Sequence, residues 1–184
     1  MTIEELGPDW SPEEMHGWVA RGLDGTSWVQ VAALRRDEFR QDTLAQLARG
    51  RKLLLDGQGL VRAPSVGALV TDANYDPAVL EHVAVLKLSE PEAELLGGLE
   101  EESLRRFGVP EVVVTLGSRG ARVLDHSGLR DVPGRPVEPV GDPTGAGDAF
   151  GAAYLVARAD GNSPVGAARR ACGIVADLLS GRLR

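Results

Sequence analysis

Residues 140–151 read VGDPTGAGDAFG and stand at the start of a long Ala-rich helix that the sequence predicts over 144–159. The first N–H groups of a helix have no partner within the helix, and the helix dipole makes that end positive. Because Gly145, Ala146 and Gly147 are small, an anion can approach these amides closely. Asp148 follows at the same end, where it could accept a proton from a substrate hydroxyl while the amides hold phosphoryl charge.

This segment has a simpler interpretation. A Gly-Ala-Gly-Asp run by itself fits a capped helix with an acidic first turn, and only its flanking residues and the other motifs favour a phosphate site. The other phosphate loops do not fit. The sequence has no Gly-x-x-x-x-Gly-Lys-Ser/Thr, and Gly145, Gly147 and Gly151 lack the dinucleotide Gly-x-Gly-x-x-Gly spacing.

Outward from this segment, apolar strand patterns alternate with helical patterns. Strands are predicted at 27–33, 52–56, 83–88, 111–116 and 121–125, and helices at 37–50, 89–96, 100–107, 144–159 and 164–179. Gly128 is predicted to mark a turn, and 132–143 a loop. The alternation predicts an α/β fold with a largely parallel sheet flanked by helices, in which ligands bind beyond the carboxyl ends of the strands.

Composition narrows the class of protein. The chain has 184 residues, of which 43% are hydrophobic and 26% charged, so residues 1–184 can form a single α/β domain. A net charge of −7 argues against nucleic-acid and anionic-membrane partners. One cysteine, Cys172, excludes an intramolecular disulfide. The acidic start is not a signal peptide, and no apolar run approaches the roughly 20 residues of a membrane span, so a cytoplasmic location is expected.

Residues 142–150, DPTGAGDAF, resemble the C-terminal signature of the ribokinase-like (phosphofructokinase-B type) carbohydrate kinases, Asp-Thr-x-Gly-Ala-Gly-Asp-x-Phe. Pro143 stands where that family usually has Thr. The resemblance implies that residues 145–147 form an anion hole and that Asp148 is the catalytic base. It implies ATP as the phosphoryl donor and a sugar or nucleoside as the acceptor.

Metal ions are implied by two motifs. The resemblance places a monovalent cation, K⁺, near Asp142 and Thr144. Residues 87–94, KLSEPEAE, resemble the family's Asn-x-x-Glu motif, whose Glu organises water and Mg²⁺ near the phosphates; here that residue is Glu92, and Ser89 replaces the Asn. The alternative is structural, because Ser89 and Glu92 also fit a helix capping box.

Two more stretches match in order. Residues 113–121, VVTLGSRGA, resemble the family's nucleotide-contacting strand and turn, although an ordinary strand, turn and strand would read the same. The nucleotide-binding residues implied are Thr115, Gly117, Ser118, Gly120 and Gly147. Residues 55–62, LDGQGLVR, resemble an Asp-x-x-x-x-x-Arg stretch of some members. It places Asp56 and Arg62 near the active cleft without a defined role.

The resemblance begins near residue 27 and omits part of the family. The family's early Gly-Gly motif, its sugar-binding residues and its small β-sheet lid are not recognisable here, so the fold is expected to lack its N-terminal part and lid. That lid often makes a dimer contact, which leaves a homodimer open. Met1 is then the start of a truncated piece, a misassigned start or a natural short form. The expected function is a carbohydrate kinase, and the alternative is a truncated nucleotide-binding module without kinase turnover.

Overall fold

The computed structural model describes residues 2–138, 140 and 142–182. Gly141, part of the segment that opens the sequence analysis, lies outside the described residues. The strands are β1 (Thr2–Ile3), β2 (Trp28–Val31), β3 (Lys52–Asp56), β4 (Gly67–Ala68), β5 (Val83–Ser89), β6 (Glu111–Thr115), β7 (Gly120–Asp125) and β8 (Gly128–Pro133). The helices are α1 (Pro12–Glu14), α2 (Ala20–Gly22), α3 (Gln41–Leu47), α4 (Gln58–Val61), α5 (Glu90–Leu95), α6 (Glu101–Arg105), α7 (Ala146–Ala159) and α8 (Pro164–Leu179). A π-helical turn (Met15–Val19) separates α1 from α2, and 3₁₀ turns lie at Pro77–Leu80 and Gly117–Arg119.

Six strands form the central sheet in the order β2-β3-β5-β6-β7-β8, and β1 pairs with β4 in a separate two-stranded sheet. The pairings from β2 to β6 are parallel, whereas β7 and β8 are antiparallel to their neighbours. The predicted α/β fold with a largely parallel sheet flanked by helices is therefore confirmed, with a mixed edge at β7 and β8.

Two apolar layers cover the sheet because side chains alternate between its faces along each strand. On one face, Leu54, Val85 and Val113 pack against α7 and α8. On the other, Leu55, Leu86 and their neighbours pack against α3, α5 and α6. The small residues of α7 and α8, including Ala157 and Ala171, are fully buried and allow the two helices to lie close together.

The largest differences from the predicted element boundaries are at β8 and α3. Strand β8 begins at Gly128, where a turn was predicted, and pairs with β7 from Asp125↔Gly128 to Gly120↔Pro133. Its sequence, GLRDVP, alternates weakly, so its pairing depends on the neighbouring strand. Helix α3 (Gln41–Leu47) is shorter than the predicted 37–50, because Asp37 has a φ of +67° and Arg40 is extended, so the right-handed helix begins only at Gln41.

No helix in the described part of the chain is both long enough and apolar enough to cross a membrane. The predicted cytoplasmic location remains a prediction.

Candidate active site

The carboxyl ends of the parallel strands lie along one edge of the sheet. There, Asp56 at the end of β3 is in register with Lys87 of β5, and Ser89 of β5 is in register with Thr115 of β6. The start of α7 lies over this edge. A Cβ atom built on Gly147 would be 3.1 Å from Lys87 Nζ, so a side chain at this position would push the ammonium away from the helix backbone by a few tenths of an ångström.

The first turn of α7 presents backbone donors. Gly145 precedes the helix with a φ of +85°, in the left-handed region that glycine adopts readily. The Ala146 N–H donates to the Pro143 carbonyl at 3.0 Å, and the Ala149 N–H donates to the Gly145 carbonyl at 2.9 Å. Within residues 2–138, 140 and 142–182, no acceptor faces the N–H groups of Gly145, Gly147 or Asp148. The predicted anion hole of residues 145–147 stays a prediction, and Ala146 contributes its amide only if it leaves Pro143.

Asp148 lies in this first helical turn, and its side chain is exposed. A carboxylate near a helix N-terminus is stabilised as the anion. Its role as the base remains a prediction. A carboxylate can accept a proton, and this one is accessible to a substrate hydroxyl.

A buried ion pair lies below the helix start. Lys87 Nζ is 2.6 Å from Asp56 Oδ2, and the two side chains are 7% and 3% exposed. The Asp56 carboxylate also accepts the Gln58 N–H through Oδ1 at 3.3 Å. Strand periodicity explains the placement: Asp56 and Lys87 lie two residues beyond Leu54 and Val85, so they point to the face that α7 covers.

The turn between β6 and β7 depends on two glycines. Gly120 has a φ of +103°, and a Cβ there would be 2.1 Å from the Val132 carbonyl oxygen. A Cβ on Gly134 would be 2.3 Å from the Ser118 carbonyl oxygen. The Leu116 N–H donates to the Gly120 carbonyl at 2.8 Å and closes the turn. Strand β8 therefore packs directly against this turn and holds its shape.

One cleft of about 560 Å³ joins these parts. At the start of α7 it is lined by Lys87, Ala146 and Gly147, and at the end of β6 and the following turn by Thr115, Gly117, Ser118 and Gly120. Residues of α8, Cys172, Val175, Ala176 and Leu179, form an apolar wall of the cleft. The predicted nucleotide-binding residues are thus brought together with the helix start in a single cleft.

Glu92 forms the capping box that was the structural alternative for it. Its Oε2 accepts the Ser89 N–H at 2.8 Å, and Ser89 caps α5 in return. The other carboxylate oxygen has no donor among the described residues. Mg²⁺ at phosphoryl-transfer sites takes one or two carboxylates and completes its shell with phosphate oxygens and water. Glu92 has one carboxylate oxygen for that limited role, but its side chain does not line the cleft, and no cluster of three or more His, Cys, Asp or Glu side chains that could hold a metal occurs in the described part of the chain.

Asp142 and Thr144 bind each other. Asp142 Oδ1 accepts from the Thr144 hydroxyl at 2.8 Å and from the Thr144 N–H at 2.9 Å. These hydrogen bonds, the side-chain one first, lower the pKa of the Asp142 carboxyl. Both residues are exposed, and the predicted monovalent cation beside them stays a prediction.

Sequence reasoning missed the Asp56–Lys87 pair and the apolar wall on α8. A signal existed for Lys87, because a lysine inside the apolar strand VAVLKLS is rarely buried without a partner. Nothing local pointed to Gly134 or to the wall, because their contacts join residues far apart in the chain. Arg62, which the resemblance placed near the cleft, does not line it.

Comparison with known proteins agrees with this fold. A family model described as pfkB family carbohydrate kinase matches residues 23–176. The inositol 3-kinase of Zea mays is 36% identical over 122 residues, which make up 64% of this chain and 31% of that protein.

Two solved structures share the fold. A pyrophosphate-dependent kinase in the ribokinase family, complexed with a pyrophosphate analog and myo-inositol, has a TM-score of 0.78 at 24% identity, over 95% of this chain and 64% of that chain. The ribokinase of Arabidopsis thaliana, complexed with ribose and ATP, has a TM-score of 0.68 at 22% identity, over 97% of this chain and 56% of that chain. The chain therefore spans only part of these structures, and its matches to curated relatives cover 22% to 31% of their length.

Proposed function

Because this chain belongs to the pfkB family of carbohydrate kinases, whose model matches residues 23–176, we propose that it is the nucleotide-binding half of an ATP-dependent phosphotransferase acting on a sugar or nucleoside hydroxyl. The observation that carries the proposal is the cleft of about 560 Å³. One end offers a lysine and backbone amides, which suit phosphate. The other end offers the apolar wall of α8, which suits a base.

The shape of this cleft favours a nucleotide over pyrophosphate as the donor. Pyrophosphate would occupy only the end near Lys87 and Gly147, and the wall formed by Val175, Ala176 and Leu179 would contact nothing. A nucleoside triphosphate uses both ends, since bases bury against apolar side chains while phosphates bind amides and cations.

In the proposed reaction, Asp148 accepts the proton of the acceptor hydroxyl as the oxygen bonds to the γ-phosphorus of ATP, while the bond from that phosphorus to the β,γ-bridging oxygen breaks and ADP leaves. The N–H groups of Gly145 and Gly147 stabilise the charge that develops on the transferred group. Positioning and electrostatics dominate phosphoryl transfer, so amides held by a helix start are well suited to it. Glu92 is the residue that would hold Mg²⁺ through water, and the ion would supply positive charge to the donor phosphates.

Turnover by this chain is a separate question from donor binding. The matched structures have a further third or more of their length, and by resemblance that part encloses the acceptor. The second candidate function is therefore a nucleotide-binding module without kinase turnover. Two measurements distinguish the candidates: calorimetry with ATP, ADP and pyrophosphate, and coupled ADP release with a panel of sugars, inositols and nucleosides. Binding without acceptor-dependent ADP release identifies the module, and no nucleotide binding rejects both.

Gly147→Val is expected to weaken ATP binding about tenfold or more, a change of about 1.4 kcal/mol for each factor of ten. A Cβ at this position would already be 3.1 Å from Lys87 Nζ, and a branched side chain would cover the adjacent amides. The measurement is calorimetric titration with ATP and with adenosine. Gly173→Val is the control, because Gly173 lies in α8 with no atom within 4 Å of a built Cβ. Unchanged ATP affinity in a folded Gly147→Val protein would reject the placement of the phosphates.

Cys172 provides a test of the apolar wall, since it lines the cleft and is the only cysteine in the sequence. Saturating ATP should slow alkylation of Cys172 by iodoacetamide about fivefold or more, while pyrophosphate leaves the rate unchanged. Burial raises the pKa of the Cys172 thiol, so labelling of the free protein should be slow at neutral pH and should keep rising above pH ~9. Equal labelling rates with and without ATP would place the base elsewhere.

A further inference from the structure

We propose that Lys87 contacts the phosphates of the donor and that Asp56 is a positioning residue, which holds the Lys87 ammonium beneath the start of α7. The inference rests on the proposed function, because it assigns two further residues to the same donor site. The observation behind it is the buried Asp56–Lys87 ion pair beside the start of α7, which neither helix formation nor sheet packing requires.

Two positive features converge at this point. Lys87 Nζ would be 3.1 Å from a Cβ on Gly147, so the ammonium lies against the first turn of α7. The N–H groups of that turn carry the positive end of the helix dipole. Bringing a cation to that end is unfavourable without an anion, since cations are stabilised at the opposite helix end. The Asp56 carboxylate lies 2.6 Å from Nζ and supplies the negative charge that offsets the ammonium.

The ammonium also has unused donors. Lys87 Nζ donates to Asp56 Oδ2, and the described residues provide no second acceptor for it. An ammonium has three N–H groups. The residue is 6% exposed and lines the cleft, so its remaining donors lie at the end of the cleft where Gly147 is found. A phosphate oxygen can accept the hydrogen bonds that the remaining N–H groups of this buried ammonium offer.

Asp56 is assigned to positioning because its contacts are all internal. Its side chain is 3% exposed, accepts from Lys87 and Gln58, and does not line the cleft. A lysine side chain has four flexible carbons, so an unanchored ammonium would sample many positions. Register between β3 and β5 places the anchor directly opposite Lys87, and the fixed ammonium needs less ordering when a phosphate binds.

The test compares variants by the dissociation constant of adenosine divided by that of ATP. Because adenosine lacks the phosphates, this ratio measures how much the phosphates contribute to affinity. The double variant Asp56→Asn/Lys87→Met removes both buried charges and leaves neither unpaired. We expect this ratio to fall about 10- to 100-fold in the double variant, with adenosine affinity unchanged, since hydrogen bonds to charged groups have effects of that size. Asp56→Asn alone should lower the ratio about 3- to 10-fold, because Lys87 is retained without its anchor. Lys87→Arg keeps the positive charge, so its ratio should fall less than that of the double variant.

The matched control is Glu111→Gln/Arg158→Met. It removes an ion pair of similar burial, 13% and 16% exposed, that does not line the donor cleft. Its ratio should equal that of the wild type. A folded Asp56→Asn/Lys87→Met protein with an unchanged ratio would overturn the assignment of Lys87 while leaving the proposed function intact. A wild-type ratio for Asp56→Asn would overturn the positioning role. If the wild-type protein binds neither ATP nor adenosine, the proposed function fails, and this inference fails with it.

Discussion

Asp148→Asn is expected to lower the rate of phosphoryl transfer by about 10²- to 10⁴-fold, the usual effect of removing a general base. The amide of Asn cannot accept the acceptor's proton, whereas the backbone N–H groups of Gly145 and Gly147 remain in place. ATP affinity should therefore not decrease. The side chain is exposed in the first turn of α7, so the substitution leaves the buried core unchanged.

The rate is measured as coupled ADP release with the acceptor that gives the fastest wild-type turnover, or as ATP hydrolysis where no acceptor is used. The control is Asp160→Asn, which changes an exposed carboxylate at the other end of the same helix. The control should keep the wild-type rate. An Asp148→Asn protein that retains more than half of the activity would show that another group takes the proton.

Gly120→Ala is expected to lower the free energy of unfolding by about 3 kcal/mol or more. The residue has a φ of +103°, and its new Cβ would lie 2.1 Å from the Val132 carbonyl oxygen and 2.3 Å from the Gly134 nitrogen. Both are backbone atoms, Val132 within β8 and Gly134 just after it. The clash is therefore relieved only if β8 moves away from the turn. Urea unfolding followed by circular dichroism measures the loss.

Gly128→Ala separates the cost of backbone conformation from the cost of the clash. Gly128 has a φ of +109°, close to that of Gly120, but the nearest atom to its built Cβ is 3.7 Å away, on the Glu101 side chain. Its loss of stability should be about 1–2 kcal/mol, from the positive φ alone. Equal losses for the two variants would mean that β8 does not brace the turn.

The sequence predicted most of the sheet because the strands have strong local patterns. KLLLD, VAVLKL and EVVVTL are short apolar runs bounded by turn residues, and the structure has β3, β5 and β6 there. Helix α8 was predicted with its observed bounds, because Ser163 caps its start and Pro164 suits the first turn. Strand β8 was missed, because its six residues become a strand by pairing with β7.

The features of the candidate site also divide into those that the local sequence determined and those that the tertiary structure decided. By itself the sequence determined the α/β fold, the small-residue start of α7 followed by Asp148, and membership of a kinase family, because each is carried by residues adjacent in the chain. Only the tertiary structure decided that Lys87 is paired with Asp56, that Gly147 lies against that lysine, and that α8 forms the wall of the cleft. These contacts join residues far apart in the chain, such as Asp56 and Lys87, which are 31 positions apart. Periodicity and capping report local geometry, whereas strand order and helix packing determine which distant side chains meet.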